Sequence, residues 1–190
     1  MRQIVDKRLK DDYLHRIIKL TESYKVGEPL DPNTDLGSMI TQEHQQRVLS
    51  YIAKGCDEGA NLIAGKNGAM DREGYFIQPT IFDNVDPQST IAKEEIFGPV
   101  LGVVTVDGMD EALRIARDTE YGLHATVFTK DISRAFHMAR HLPVGTVGIN
   151  GFTEGDIKTP FGGFKKSGSL ARDNGTEAMD QYLQTKTIWF

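Results

Sequence analysis

Two adjacent carboxylates, Glu94 and Glu95, are followed by Ile96, an aromatic residue, Phe97, and a Gly98-Pro99 break. A carboxylate accepts hydrogen bonds from a sugar diol, and an aromatic face beside it suits a flat heteroaromatic ring. If the segment is extended, Glu95 and Phe97 lie on the same side, because side chains alternate along a strand. The simpler alternative is a surface Glu pair ahead of a core Phe, since burial usually sorts charged from apolar side chains. The single cysteine, Cys56, is a second candidate. A reactive thiolate needs an electropositive setting, whereas Cys56 precedes Asp57 and Glu58 and has no His close in sequence. A hydrolase built on Cys56 is therefore disfavoured. His137 and His141 are four apart and share a helix face. Zinc needs three or four ligands, and no third stands at motif spacing, which predicts a metal-free pair. The run Gly162-Gly163-Phe164-Lys165-Lys166-Ser167-Gly168 lacks the Gly-x-x-x-x-Gly-Lys-Ser/Thr order of a phosphate loop, so turn geometry is its expected role.

The elements that must position these groups follow from periodicity. Gly-Pro cannot continue a helix, and Val100-Leu101-Gly102-Val103-Val104 reads as a buried strand, so a sheet would hold the Glu95/Phe97 stretch over a pocket. Upstream, Val5, Leu9, Tyr13, Ile17 and Leu20 predict an amphipathic helix over about 6–21. Residues 27–37, with Pro29, Pro32 and Asn33, predict a loop. Thr41 predicts the N-cap of a second helix with a stripe of Val48, Leu49, Ile52 and Ala53, ended by Gly55 or Gly59. Strands are expected at 61–64 and 75–82, with Pro79 marking an edge or bulge. Downstream come a helix capped by Asp110, a strand at 125–129, a helix opened by Asp131 and stopped at Pro143, and a strand at 145–150. A Gly-rich loop over 151–168, a short helix at 177–183 and a last strand at 185–190 complete the chain. The alternation after Val100 predicts an α/β fold: a largely parallel sheet flanked by helices, in one domain over 1–190.

Composition bounds the partners. Net charge is −5, with 22 basic and 27 acidic residues and no basic cluster, which disfavours nucleic acid. One cysteine excludes an internal disulfide and suggests a reducing compartment. The N-terminal residues lack the apolar stretch of a signal peptide, and no run approaches the ~20 apolar residues of a membrane span. A cytoplasmic protein with no membrane partner is expected.

Lys93-Glu94-Glu95-Ile96-Phe97-Gly98-Pro99-Val100 resembles a motif of the NAD(P)-dependent aldehyde dehydrogenases. Tyr121-Gly122-Leu123, Val127-Phe128-Thr129-Lys130-Asp131, Gly145-Thr146-Val147 and Pro160-Phe161-Gly162-Gly163-Phe164-Lys165-Lys166-Ser167-Gly168 follow in family order. The resemblance covers almost the whole chain, from about Arg2 to Phe190. Glu154-Gly155-Asp156 and Lys186-Thr187-Ile188-Trp189 are most similar to the branch acting on γ-glutamyl-aminobutyraldehyde and related ω-amino aldehydes. The resemblance implies a coenzyme, NAD or NADP, held in part by Glu95 on the nicotinamide ribose and Phe97 against the nicotinamide. It implies a substrate tunnel lined by Phe152 and Phe161, with Asp156 a candidate for attracting a substrate amino group; an ordinary solvated loop carboxylate is the alternative. It implies a C-terminal strand, residues 185–190, that joins a sheet across subunits of a homo-oligomer.

In that family a cysteine thiolate attacks the aldehyde, hydride passes to NAD(P)+, and a glutamate-activated water releases the acid. The nucleophile, in a Gly-Gln-x-Cys context, and the base lie ahead of the region these residues resemble. The resemblance therefore implies the C-terminal part of a catalytic domain with no catalytic residue of its own, inactive alone. A non-catalytic assembly partner of a full-length homologue is the alternative. Two departures bear on substrate class: Ser169-Leu170-Ala171-Arg172 replaces the family's shorter x-Gly-Arg, and residue 151 is Gly where a bulkier residue is common.

Overall fold

A computed structural model describes residues 2–151, 156–168 and 171–190. The chain divides into two compact units, Met1–Ala112 and Leu113–Phe190.

The first unit is built on a four-stranded sheet of order β1-β4-β3-β2, comprising β1 (Arg2–Asp6), β2 (Asn61–Ala64), β3 (Thr80–Asp83) and β4 (Val100–Val106). The predicted apolar run is β4, the central strand, which pairs parallel with β1 and with β3. β2 closes the edge antiparallel, with a register shift between Leu62 and Ala64. Two helices form here, α1 (Lys10–Ser23) and α2 (Gln42–Asp57), with a single turn, α3 (Thr90–Lys93), before the site.

Three expectations change. The first helix starts later than predicted: Val5 lies in β1, opposite Thr105, and Leu9 and Leu20 are exposed. The working stripe is Tyr13, Leu14, Ile17 and Ile18, packed on Val5, Ile81 and Val103. Spacing alone read Val5 as helical because it sits one turn before Leu9, but the pairing with β4 decides. The 75–82 strand contracts to Thr80–Asp83, whose four residues are all buried. In α2 the buried face is Val48, Tyr51, Ile52 and Gly55, while Ala53 is exposed. Gly55 is thus an interior packing position, where a Cβ would stand 3.0 Å from the Phe82 ring and from Ile91. Gly59, at φ +86, lies just beyond the helix end.

The second unit contains a parallel pair, β6 (His124–Val127) with β7 (Thr146–Ile149), joined through helix α5 (Ile132–His141). A short antiparallel pair joins β5 (Tyr121–Gly122) to β8 (Phe164–Lys165) inside the predicted long loop. Helix α4 (Met109–Arg117) crosses the boundary of the two units in sequence; Asp110 stands in its first turn rather than at its cap. The expected helix near 177–183 is a 3-10 segment, Thr176–Gln181. Residues 185–190 make no strand ladder with the described residues, and Trp189 is 90% exposed. The strand expected there has no neighbour among the described residues to pair with.

Candidate coenzyme-facing site

Residues 94–99 form a strap that leads from α3 into β4, and its placement begins at the end of α2. The Glu58 carboxylate accepts from Thr90 N at 2.8 Å and Thr90 Oγ1 at 2.5 Å, fixing the start of α3. That helix lasts one turn, and Glu94 at its C-cap is already extended. Along the strap, Ile96 is 3% exposed and anchors in the core, whereas Phe97 is 70% exposed and Glu95 is also exposed. Glu95 and Phe97 are thus both exposed, with buried Ile96 between them. The reading of Phe97 as core does not hold.

The backbone is not a plain extended strand. Phe97 has φ +54, the left-handed region that a bulky residue seldom occupies. Its turn brings Gly98 against Val48, where a Cβ would stand 2.7 Å from both methyls. Pro99 O then accepts from Thr80 N at 2.9 Å, and the chain enters β4.

One face of α2 holds the strap. His44, Arg47, Val48 and Tyr51 are spaced three and four apart, so they lie on one side of the helix. Tyr51 Oη donates to Glu94 Oε2 at 2.6 Å. Arg47 approaches Glu95 O at 3.5 Å, and His44 Nε2 lies 2.7 Å from Phe97 O. The Glu94 carboxylate, through its hydrogen bond, and then burial push the Tyr51 phenol above its ordinary pKa. The cations of Arg47 and Lys54 flank the Tyr51 ring at 5.8 and 5.4 Å from its centroid. Sequence reasoning passed over His44, Arg47 and Tyr51 because it followed the apolar stripe alone; the signal was their spacing around Val48. Thr41 does cap α2 as predicted, its hydroxyl accepting from His44 N at 3.1 Å.

In the second unit, Phe161 is half-exposed and bridges Asp173 through two backbone bonds of 2.6 and 2.7 Å. Asp156 is exposed; its Oδ1 accepts from Lys158 N at 2.9 Å, and its carbonyl accepts from Thr159. That carboxylate is at least in part a turn-former. Phe152 lies outside the described residues. The Gly162–Gly168 run serves turn geometry, as expected: a Cβ on Gly163 or Gly168 would overlap the opposite arm of the turn. Lys165 Nζ donates to Arg117 O and Thr119 O at 2.8 and 2.7 Å, and Ser167 Oγ accepts from Gly122 N at 3.1 Å.

The remaining candidates stay apart from this chemistry. Cys56 is an exposed free thiol near the end of α2. His137 and His141 stack with centroids 4.2 Å apart, and among the described residues no group of three metal-ligating side chains occurs. No helix among the described residues is long and apolar enough to cross a membrane.

An exposed carboxylate next to an exposed aromatic, both on backbone fixed by a helix and a sheet, fits a ligand that offers hydroxyl donors and a flat ring. The strap presents a carboxylate acceptor beside an exposed aromatic face.

The aldehyde dehydrogenase family model matches residues 1–188, and the chain belongs to that family. It is 42% identical to betaine aldehyde dehydrogenase of Brucella anthropi, covering 99% of this chain and 39% of that protein. It is 39% identical to the NADP/NAD-dependent aldehyde dehydrogenase PuuC of Escherichia coli, covering 99% and 37%. Among solved structures it matches a cysteine-to-alanine mutant of P. syringae indole-3-acetaldehyde dehydrogenase AldA, in complex with NAD+ and IAA, with a TM-score of 0.94 and 44% identity. That match covers 100% of this chain and 38% of the solved one. The chain thus spans about two fifths of the length of the relatives it matches, and its α/β architecture with a largely parallel sheet is theirs.

Proposed function

We propose that these 190 residues supply the positional part of an NAD(P)-dependent aldehyde oxidation and hold no catalytic residue themselves. The observation that carries this reading is the paired exposure of Glu95 and Phe97 around buried Ile96. Glu95 accepts hydrogen bonds from the nicotinamide ribose hydroxyls, and Phe97 packs against the nicotinamide ring. Both orient the ring toward the aldehyde and keep water from that face. The coenzyme, when bound, supplies the hydride acceptor. Phe152, Phe161 and Asp156 shape the substrate mouth, the last by attracting a cationic amino group. Proximity and orientation of this kind are worth several kcal/mol of barrier when the reacting atoms are brought to near-attack distance.

The finer substrate reading is an ω-amino aldehyde of the γ-glutamyl-aminobutyraldehyde type, supported by Glu154-Gly155-Asp156 and by the C-terminal Lys186-Thr187-Ile188-Trp189. The chain is read as part of a catalytic domain in a reducing compartment, in keeping with its single cysteine.

An NAD+-reduction assay on the purified chain, with several aldehydes, tests the reading. No turnover is expected, and thiol alkylation at Cys56 changes nothing. Aldehyde-dependent NADH formation by this chain alone would refute it.

A second reading is favoured by the exposed C-terminal residues Ile188, Trp189 and Phe190. A bare apolar segment of β propensity pairs readily with another chain. On that reading the chain enters oligomers of a full-length relative through residues 185–190. Light scattering of an equimolar mixture that gave only separate species would count against it.

A further inference from the structure

We infer that His44 is a positioning residue for Phe97, holding its backbone in the left-handed conformation from which the ring faces outward. This rests on the coenzyme-facing reading of the strap. The geometry is specific. His44 Nε2 stands 2.7 Å from Phe97 O, and a carbonyl oxygen only accepts, so the imidazole donates from Nε2–H. The neutral ring is therefore the Nε2–H tautomer. The same residue is tied at its other end: its backbone N–H donates to the capping Thr41 hydroxyl, in the first turn of α2.

What that bond opposes is local strain. Phe97 at φ +54 occupies a region that disfavours every residue with a Cβ and is rare for bulky ones. Such a conformation persists only where the surroundings over-determine it. Glycine would fit the turn without strain, and Gly98 is already adjacent, so an aromatic at this φ marks a side chain kept for what it presents. Three anchors fix the turn: Ile96 in the core, Gly98 against Val48, and the Phe97 carbonyl on His44. Only the last acts on the peptide unit of Phe97 itself.

The experiment compares the chain with His44→Ala and His44→Gln by NMR, with no coenzyme present. Backbone chemical shifts of Phe97 report whether its φ is left-handed or extended, and amide exchange is read at Phe97, Gly98 and Val100. His44→Ala is expected to move the Phe97 shifts toward extended values and to speed exchange at these three positions about tenfold, leaving β1, β3 and the last two turns of α2 unchanged. His44→Gln, which keeps an N–H donor, restores most of the native pattern. Unchanged Phe97 shifts in His44→Ala would overturn the inference. So would exchange that rises equally across the whole sheet, because His44 would then be a general stabiliser. Since the readout contains no nucleotide, failure here leaves the coenzyme-facing reading standing, and failure of that reading leaves the positioning result intact.

Discussion

At the residue scale, two part-buried polar contacts of the first unit contrast with a third on the open surface. Tyr51 is buried and donates to Glu94, and its phenol titrates above the ordinary tyrosine value. A group whose folded pKa is raised contributes stability that is fully present below its unfolded pKa and lost as pH rises through the folded one. The Tyr51–Glu94 contact is therefore intact at neutral pH and weakens in alkali. Carbon-13 tyrosine NMR is expected to show Tyr51 ionising above the ordinary tyrosine range, with Glu94→Gln bringing it down. If Glu94→Gln leaves the Tyr51 midpoint unmoved, the assigned cause is wrong. Lys10 and Asp83 form the second contact, 2.9 Å apart with both side chains mostly buried. Removing one partner of such a pair strands the other, so Lys10→Met should cost about 3 kcal/mol. Lys7 and Asp107 pair at 2.6 Å on the open surface, and Lys7→Ala should cost roughly 0–1 kcal/mol. Urea denaturation of the two variants decides the contrast; equal losses would contradict it.

At the element scale, α2 both closes the core and holds the strap, and the two tasks fall on neighbouring side chains. Gly55 lets the helix lie against Phe82 and Ile91 at a distance no larger residue permits without displacement. Gly55→Ala is expected to destabilise by about 1–3 kcal/mol through overpacking. Thr41→Ala, which removes the hydroxyl accepting from His44 N, should cost about 1 kcal/mol. Thermal unfolding checks both, and a stabilised Gly55→Ala would mean that the helix can shift outward freely. Much of this element was legible in the sequence: the Thr41 cap, the Val48 and Ile52 stripe, and Asp131 as the cap of α5, where its carboxylate accepts from Ser133 N and Arg134 N. Local hydrogen-bonding chemistry writes such features into a few consecutive residues. β1 was not legible, because Arg2–Asp6 gains its strand character from pairing with Gly102–Val106, a hundred residues away. Nor was the left-handed Phe97, since an aromatic before Gly-Pro gives no local signal for a positive φ.

At the scale of the whole molecule, the chain carries family structure over its full length and spans about two fifths of its relatives. The Glu95/Phe97 stretch could be located from residue types and the following strand, because a carboxylate-aromatic pair and a Gly-Pro break are compositional. Its support by His44, Arg47 and Tyr51 could not, since that depends on α2 crossing beside the strap. A helix face fixes a strained turn, and the turn presents two exposed side chains, Glu95 and Phe97, to which the proposed function assigns the coenzyme.

A chimera tests that account most directly. In it, this chain replaces the matching 38% of the P. syringae indole-3-acetaldehyde dehydrogenase without the cysteine-to-alanine mutation. NAD+ reduction by the chimera is predicted, with Glu95→Gln and Phe97→Ala each lowering kcat by about tenfold to a hundredfold through lost orientation of the nicotinamide. A folded, active chimera in which neither substitution alters kcat or the KM for NAD+ would contradict it.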